Sequence, residues 1–272
     1  MTPSSFCLLI LLTLSACSQA EKPVEIESKS AAIPVWKLPG VEAESERFGF
    51  CRSVDTASLH LNAVKYLFLD DSLGVEEAKK LVNILPKLKN LISLSFLNQP
   101  QLNLEPVFEA LQSSDSLQEL HIDNCKIKLQ GELRNLKRLK RLELWENNLR
   151  EVPIDFLNSL NLERFEIKDW GNPFRFIGKL KANNPLKYLW ILGCNEKKLN
   201  NEFYKLTNLK RLSVHNSALV SVSPDIVQIK SLEELMVVDC PLSKDENALI
   251  ALRNQLNGKC SVKTEKDIPL PD

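Results

Sequence analysis

The side chains of this 272-residue chain that could carry out covalent or metal chemistry are few and scattered. The sequence has three histidines and no glycine-rich phosphate loop, and it lacks GxSxG, HExxH and CxxC motifs. Such motifs hold a phosphate, a nucleophile or a metal ion because they fix the required groups at a short spacing. Carboxylate pairs are frequent, but in a chain that is 26% charged they are expected to be solvated. The sequence therefore predicts no enzyme activity, no metal and no cofactor.

The overall charge bears on the class of partner. Lys plus Arg and Asp plus Glu number 35 each, so the formal net charge is zero. Binding to nucleic acid or to an anionic membrane surface depends on excess positive charge. We therefore expect no nucleic-acid partner and no electrostatic attachment to membranes.

The remaining chemistry is non-covalent recognition, in which tryptophan, tyrosine and arginine supply much of the binding free energy. These residues recur beside aliphatic L-x-L pairs such as Leu142 and Leu144. Side chains alternate between the two faces of a strand, so residues that flank an inward pair project from the opposite surface. The predicted recognition residues are Trp145, Tyr188, Trp190, Leu192, Arg141, Arg164, Arg211 and His215. An alternative is that these aromatic residues only pack on their neighbours, since apolar atoms are common on any protein surface.

The L-x-L pairs belong to a longer pattern, L-x-x-L-x-L-x-x-N-x-L, whose clearest copy begins at Leu139 and contains Asn147. Copies begin at residues 64, 91, 117, 139, 162, 186, 209 and 232, so they are 22 to 27 residues apart. Asn147 is expected to turn its amide inward, where it can bond backbone groups of neighbouring turns. One unit cannot bury its own apolar side, so the copies must stack on one another.

This pattern resembles that of leucine-rich-repeat proteins, whose repeats are about 20 to 29 residues long. The resemblance implies an α/β solenoid of about eight repeats, with a curved parallel sheet on the concave side. Helices and 3₁₀ or extended segments would form the convex side. Residues 51–243 would form the repeat domain with its N-terminal cap, and residues 244–272 the C-terminal cap and tail. The predicted recognition residues would then line the concave face.

The return segments between strands differ along the chain. Apolar residues at helical spacing predict helices over Val75–Leu85 and Glu105–Leu111, and a cap helix over Asp245–Leu256. The later segments contain proline and are expected to be 3₁₀ or extended. These prolines are Pro153, Pro173 and Pro224.

The histidines and cysteines fit the repeat pattern better than a metal site. His121 and His215 would share a surface but lie four repeats apart, about 19 Å at the spacing of parallel strands. Cys125, Cys194 and Cys240 occupy the inward position of Asn147, where cysteine serves as a small buried residue.

Two cysteines near the C-terminus have alternative predicted states. Cys240 and Cys260 both lie in the cap region, and an exported chain would permit a disulfide between them. Two free thiols are the other possibility.

The N-terminus has the features of an export signal. Residues 1–20 have no charged side chain, and residues 6–14 form a short apolar run. The following Leu14-Ser15-Ala16-Cys17 resembles the lipobox of bacterial lipoproteins, which implies a signal peptide over residues 1–16 and acylation of Cys17. Ser18 after the cysteine would suit the outer membrane of a diderm bacterium. Residues 17–50, rich in charged residues, Ser and Pro, would form a tether and N-terminal flank.

The signal peptide departs from the lipoprotein pattern in one respect. The first residues contain no Lys or Arg, although a positive charge is expected there. An ordinary secretory signal and a secreted protein are therefore the alternative.

Together these features predict a monomeric, non-catalytic lipoprotein of the bacterial cell envelope, held to the membrane only by its lipid. It would bind a protein partner through the concave face. Recognition of a glycan or another envelope polymer is the alternative, because aromatic platforms suit both kinds of ligand. A structural envelope protein without a dedicated ligand is a third interpretation.

Overall fold

The computed structural model describes most of the repeat region. Its described residues are 49–70, 72–125, 127, 135–147, 149, 157–158, 160–171, 177, 179–199 and 201–267. The predicted signal peptide, the lipidation residue Cys17 and the tether up to residue 48 lie outside these ranges, as do Pro153 and Pro173. Within the described ranges, no helix has both the length and the apolar character needed to cross a bilayer.

Short strands lie where the repeated L-x-L pairs predict them. The strands are β1 (Phe50–Cys51), β2 (Tyr66–Leu69), β3 (Ser93–Leu97), β4 (Glu119–Asp123), β5 (Arg141–Trp145), β6 (Arg164–Gly171), β7 (Tyr188–Cys194), β8 (Lys198–Leu199), β9 (Arg211–His215), β10 (Ser221–Val222), β11 (Glu234–Val238) and β12 (Ser261–Lys263). Among the described residues, β8 and β10 pair in parallel with each other, and the other strands form one ten-stranded sheet in chain order. Every pairing in that sheet is parallel, as stacked repeats require.

The return segments also match the sequence pattern. The helices are α1 (Val54–Leu59), α2 (Val75–Ile84), α3 (Glu105–Leu111), α4 (Pro241–Lys244) and α5 (Glu246–Leu256). The 3₁₀ segments are Leu85–Lys87, Asn201–Lys205, Pro224–Gln228 and Glu265–Asp267. The helices predicted near residues 75, 105 and 245 and the 3₁₀ turn at Pro224 are therefore confirmed.

The helices near the two ends of the sheet have capped N-termini. At α1 the backbone N–H of Thr56 donates to the Ser53 hydroxyl at 3.1 Å. At α5 the N–H of Ala248 donates to Asp245 at 3.0 Å, and the helix ends at Asn257 in the left-handed region, with φ of 47°. These bonds satisfy backbone groups that a helix end leaves open, so both helices have defined starts.

The core lies beneath the main sheet, with the predicted register. Leu142 and Leu144 of β5 are both fully buried, and Leu142 pairs with Leu120 on one side and Phe165 on the other. A shift of one residue would move every one of these side chains to the opposite face. The observed burial therefore fixes which residues can face outward.

In the clearest repeat, the Asn147 side chain bonds the backbone of the preceding turn. Its side-chain oxygen accepts from the backbone N–H of Cys125 at 2.9 Å, and its amide nitrogen donates to the carbonyl of Ile122 at 2.7 Å. The inward, backbone-bonded amide predicted from the sequence is confirmed. Cys125, Cys194 and Cys240 are buried, which agrees with their predicted structural role.

A residue at or just beyond the end of most sheet strands adopts the left-handed conformation, which turns the chain away from the sheet. The φ values lie between 44° and 73° at Asn98, Asn124, Glu146, Gly193, Asn216 and Asp239. Asn, Asp and Gly tolerate this conformation best, so the strand ends are defined by local sequence.

The alternative disulfide between Cys240 and Cys260 is not formed, and both are free, buried thiols. The strand register explains this result. Ser261 of β12 pairs with Glu234, the first residue of β11, whereas Cys240 lies two residues beyond the last residue of that strand. At about 3.3 Å per residue, the two cysteines are separated by far more than the reach of a disulfide.

Candidate binding site on the concave sheet

The face of the sheet opposite the leucine core carries three aligned columns of side chains, and we call it the concave face. The first column contains Glu119, Arg141, Arg164, Tyr188, Arg211 and Glu234. The middle column contains His121, Glu143, Glu166, Trp190, Ser213 and Met236. The third column contains Asp123, Trp145, Lys168, Leu192, His215 and Val238. All eight predicted recognition residues therefore lie on this face.

The charged part of the middle column is buried, and the expectation that its carboxylates are solvated is wrong. His121, Glu143 and Glu166 are only 6%, 7% and 2% exposed. Arg141 and Arg164 of the first column bond to these carboxylates and help to shield them from water.

The buried groups form one polar network across β4, β5 and β6. His121 Nδ1 lies 2.5 Å from Glu143 Oε2, and Arg141 Nε donates to Glu143 Oε1 at 2.5 Å. Arg141 Nη2 also lies 3.3 Å from Glu166 Oε1, which Arg164 Nε approaches at 3.1 Å. Arg141 thus lies between two carboxylates and stabilises both.

Glu119 completes the network at the β4 edge. Its Oε2 lies 3.7 Å from His121 Nε2. Burial alone would raise the pKa of Glu119, but bonding and charge from His121, the charge of Arg141 and a bond to Ser93 together lower it. The network therefore contains three carboxyls, two guanidiniums and one imidazole. Its net charge depends on the protons held by the imidazole and the buried carboxyls.

The pKa values of the two central carboxyls, Glu143 and Glu166, are shifted in opposite directions. Burial opposes ionisation of Glu143, but bonding and charge from His121 and Arg141 lower its pKa to about 2. Burial and the nearby charge of Glu143 raise the pKa of Glu166 to about 7. The pKa of His121 is raised by its bonds to Glu119 and Glu143, although burial alone would lower it. At neutral pH the network is close to gaining or losing a proton.

These shifts predict that stability falls as the pH rises from 5.5 to 8.5. Glu166 has a higher pKa folded than unfolded, so its ionisation weakens the folded state as the pH rises towards 7. The raised pKa of His121 acts in the same direction, because its stabilising charge is lost as the pH rises through its folded pKa. We expect the free energy of unfolding in urea to fall by about 2 kcal/mol over this range. Glu166→Gln should remove most of the decrease, and equal stability of the wild type at both pH values would contradict this account.

Beside the network, three aromatic rings form a cluster. The rings of Trp145 and Trp190 are 5.8 Å apart at 87°, and those of Trp190 and His215 are 5.4 Å apart at 63°. Trp145 and Trp190 project from β5 and β7, about 10 Å apart across two strand spacings. Because the ring centroids are only 5.8 Å apart, the two side chains must extend towards each other over β6, the strand that carries Glu166.

Members of this aromatic cluster are only partly covered, and its imidazole is uncharged. Trp145, Trp190, His215 and the adjacent Leu192 are half-buried. Burial lowers the pKa of His215 to about 4, so its imidazole is neutral at physiological pH. Among the described residues, the buried indole nitrogen of Trp190 has no hydrogen-bond acceptor. Buried Trp N–H groups usually have one.

Tyr188 lies on the same strand as Trp190 and is exposed. It is 36% exposed, and the guanidinium of Arg164 lies 5.4 Å from its ring centroid. This cation–π contact holds the tyrosine ring in a defined position on the concave face.

The three predicted recognition arginines all contact carboxylates of the sheet. Arg141 and Arg164 contact Glu166, and Arg211 Nε lies 2.6 Å from Glu234 Oε1. Their charge is therefore largely neutralised within the chain. These arginines hold neighbouring side chains of the concave face in place, and they offer little unpaired positive charge to a partner.

The histidines do not share a site. His121 lies on β4 and His215 on β9, four strands apart in the sheet. Among the described residues, no group of three or more His, Cys, Asp or Glu side chains could hold a metal ion.

Comparisons with known proteins identify solved structures that resemble this chain. No protein-family model matches the chain, and no curated protein matches it. Internalin C2 from Listeria monocytogenes is a similar solved structure, with 19% identity, a TM-score of 0.50, and coverage of 78% of this chain and 90% of that one. A leucine-rich-repeat protein from Leptospira interrogans has 22% identity and a TM-score of 0.49, covering 78% of this chain and 57% of that one. An internalin from Listeria monocytogenes has 17% identity and a TM-score of 0.43, with coverages of 78% and 66%.

The all-parallel sheet, its return segments and the similarity to internalin C2 show that the chain has the α/β leucine-rich-repeat solenoid fold. The sequence pattern located the aromatic residues of the concave face but missed the buried network. A signal was available, because His121, Glu143 and Glu166 occupy the same repeat position in three successive copies. Charged residues aligned on adjacent strands must interact, and longer neighbours can cover them.

Proposed function

We propose that this chain is a non-catalytic binding module that binds a protein partner through its concave face. The observation that carries the proposal is the half-buried cluster of Trp145, Trp190 and His215, bordered by the exposed ring of Tyr188. Solenoids of this kind use the concave sheet as an extended binding surface. A rigid aromatic cluster near the centre of such a surface has the composition of a binding hot spot.

The local packing supports a preorganised site. Trp190 has ring contacts on both sides, with Trp145 and His215, and Arg164 holds Tyr188. Aromatic side chains held in place lose little conformational entropy when a partner binds. The half-buried rings still present apolar surface, so a partner can remove further area from water.

The carboxyls with shifted pKa values support recognition rather than catalysis. A general acid or base must reach the proton that it transfers, directly or through one water molecule. Glu143 and Glu166 are nearly inaccessible, and oxygens of both are engaged by arginines. In this proposal they set the shape and charge of the sheet beneath the partner.

Recognition of a glycan is the second candidate, favoured by the exposed aromatic ring of Tyr188 next to the Trp cluster. Sugar rings also stack on aromatic faces. The two candidate functions predict that the chain captures different ligands, a protein or a glycan. Cross-linking and pull-down from native envelopes should recover a specific polypeptide if the partner is a protein, whereas retention by purified peptidoglycan or glycan would favour the second candidate.

We also propose that the chain is a monomeric lipoprotein of the bacterial cell envelope, in the outer membrane where there is one. The support is the sequence Leu14-Ser15-Ala16-Cys17 after an apolar run. Two or three acyl chains give stable membrane attachment, because each buried CH₂ contributes about 0.8 kcal/mol. A secreted protein is the alternative location.

The anchor proposal predicts that Cys17→Ala abolishes acylation and releases the protein from membranes. The reason is that the lipid would be the only attachment. Metabolic labelling with a palmitate analogue and fractionation after a high-salt wash would measure both effects, with Cys7→Ala as the matched control. Equal membrane retention of Cys17→Ala and the wild type would exclude the lipid anchor.

A further inference from the structure

We propose that Glu166 links binding on the concave face to pH, so that a partner covering the Trp145–Trp190 pair binds together with one proton. This inference rests on the proposed function in one respect, that the partner covers these two rings. It adds that the affinity for the partner increases as the pH falls.

Glu166 lies at the junction of the aromatic cluster and the polar network. By register it pairs directly with Glu143 on β5 and with Trp190 on β7. It is 2% exposed, and the Trp145 and Trp190 rings meet above its strand. A partner on those rings would therefore cover the side of Glu166 that lies closest to solvent on the concave face.

The two adjacent carboxyls cannot both be fully stabilised as anions. Arg141 bonds Glu143 at 2.5 Å but lies 3.3 Å from Glu166, so it favours the charge on Glu143. Glu143 also contacts His121 at 2.5 Å, which stabilises its negative charge further. Glu166 keeps Arg164 at 3.1 Å as its second cation. When one proton is shared between the carboxyls, Glu166 is the better site for it.

Other charged groups around Glu166 do not alter this assignment. On the β7 side its neighbours are the aromatic side chains of Tyr188 and Trp190. On its own strand, the ammonium of Lys168 is paired with Glu146. The ionisable side chains near it on β4, β5 and β6 are Glu119, His121, Arg141, Glu143, Arg164 and Lys168.

The direction of the linkage follows from desolvation. A partner on the two rings displaces the water above them, so the already buried carboxylate of Glu166 loses further solvation and its pKa rises from about 7 in the free protein. The complex then holds more protons than its separated components between the free and the bound pKa. The affinity is therefore highest at low pH and falls as the pH rises through 7, about tenfold for each unit of pKa increase in the complex.

A binding probe that covers the rings can test this linkage without the natural partner. The probe is an antibody fragment selected to bind the full wild-type chain and to lose binding on Trp190→Ala. We expect its Kd to be about tenfold lower at pH 6 than at pH 8.5, for a one-unit increase of pKa in the complex. Titration calorimetry in two buffers of different ionisation enthalpy should show proton uptake near pH 7.

Two variants separate Glu166 from every other titrating group. Glu166→Gln mimics the neutral carboxyl, so it should bind the fragment at pH 8.5 nearly as tightly as at pH 6. Glu163→Gln is the matched control: its pKa is lowered by bonds to Lys187 and Lys140, so it stays charged over this range and its loss should leave the pH dependence intact. A Kd of the wild type that does not change with pH, or the same pH dependence in Glu166→Gln, would overturn the inference. Either result would leave the proposed function standing, because capture of the natural partner is measured separately.

Discussion

Leu142→Ala should lower the free energy of unfolding by about 2 to 5 kcal/mol, the usual range when a fully buried leucine is truncated. Leu142 is 0% exposed and lies in the middle of the parallel sheet, with Leu120 and Phe165 as its partners on the neighbouring strands. Its removal leaves a cavity that these neighbours can fill only in part. Urea denaturation monitored by circular dichroism would measure the change.

The chain offers a matched control for this substitution. Leu59 is 78% exposed at the end of α1, so Leu59→Ala makes the same chemical change without a cavity. We expect a change within about 0.5 kcal/mol, as for most surface substitutions. Comparable losses in the two variants would mean that the inward register is assigned incorrectly.

The register could be predicted from sequence because one repeated pattern constrains it many times. The L-x-L pairs assign Leu142 and Leu144 to the core, and the position three residues after Leu144 assigns Asn147 to the inward turn. Each repeat must bury its apolar side against the next, so an error in one repeat would conflict with its neighbours. The helices at residues 75 and 105 could be predicted for a similar reason, from apolar residues at helical spacing.

The burial of the middle column could not be predicted in the same way. The alternation of side chains assigns Glu166 to the concave face, but it does not say how far neighbouring side chains extend over it. That depends on the rotamers of Arg141, Arg164 and Trp145, which the pattern leaves free. The carboxylates predicted to be solvated instead form a buried network. The arginines predicted to contact a partner are largely engaged with carboxylates of the sheet.

Trp190→Ala should weaken binding of the protein partner by at least about 2 kcal/mol, the threshold of a binding hot spot. The substitution removes the central ring of the cluster and leaves Trp145 and His215 without their shared contact. It also exposes Glu166, its neighbour on β6, to water. All three effects disrupt the surface on which the partner is proposed to dock.

This substitution should also affect stability, because Trp190 is half-buried. We expect a loss of about 1 kcal/mol, smaller than that of Leu142→Ala, since part of the ring already contacts solvent. Trp190→Phe keeps the apolar ring but lacks the indole N–H, so it separates the hydrogen-bond donor from the aromatic surface. Binding experiments should be made at a temperature where all variants are folded.

The most direct test of the central claim is quantitative capture from native envelopes by the wild type, Trp190→Ala and Tyr204→Ala. Tyr204 is 40% exposed on the 3₁₀ segment Asn201–Lys205, away from the concave face, and therefore controls for loss of an exposed aromatic ring. After cross-linking, the account predicts that the wild type and Tyr204→Ala recover the same polypeptide in equal amounts, and that Trp190→Ala recovers less than a tenth as much, as a loss of about 2 kcal/mol implies. Equal recovery by folded Trp190→Ala would contradict recognition through the concave face.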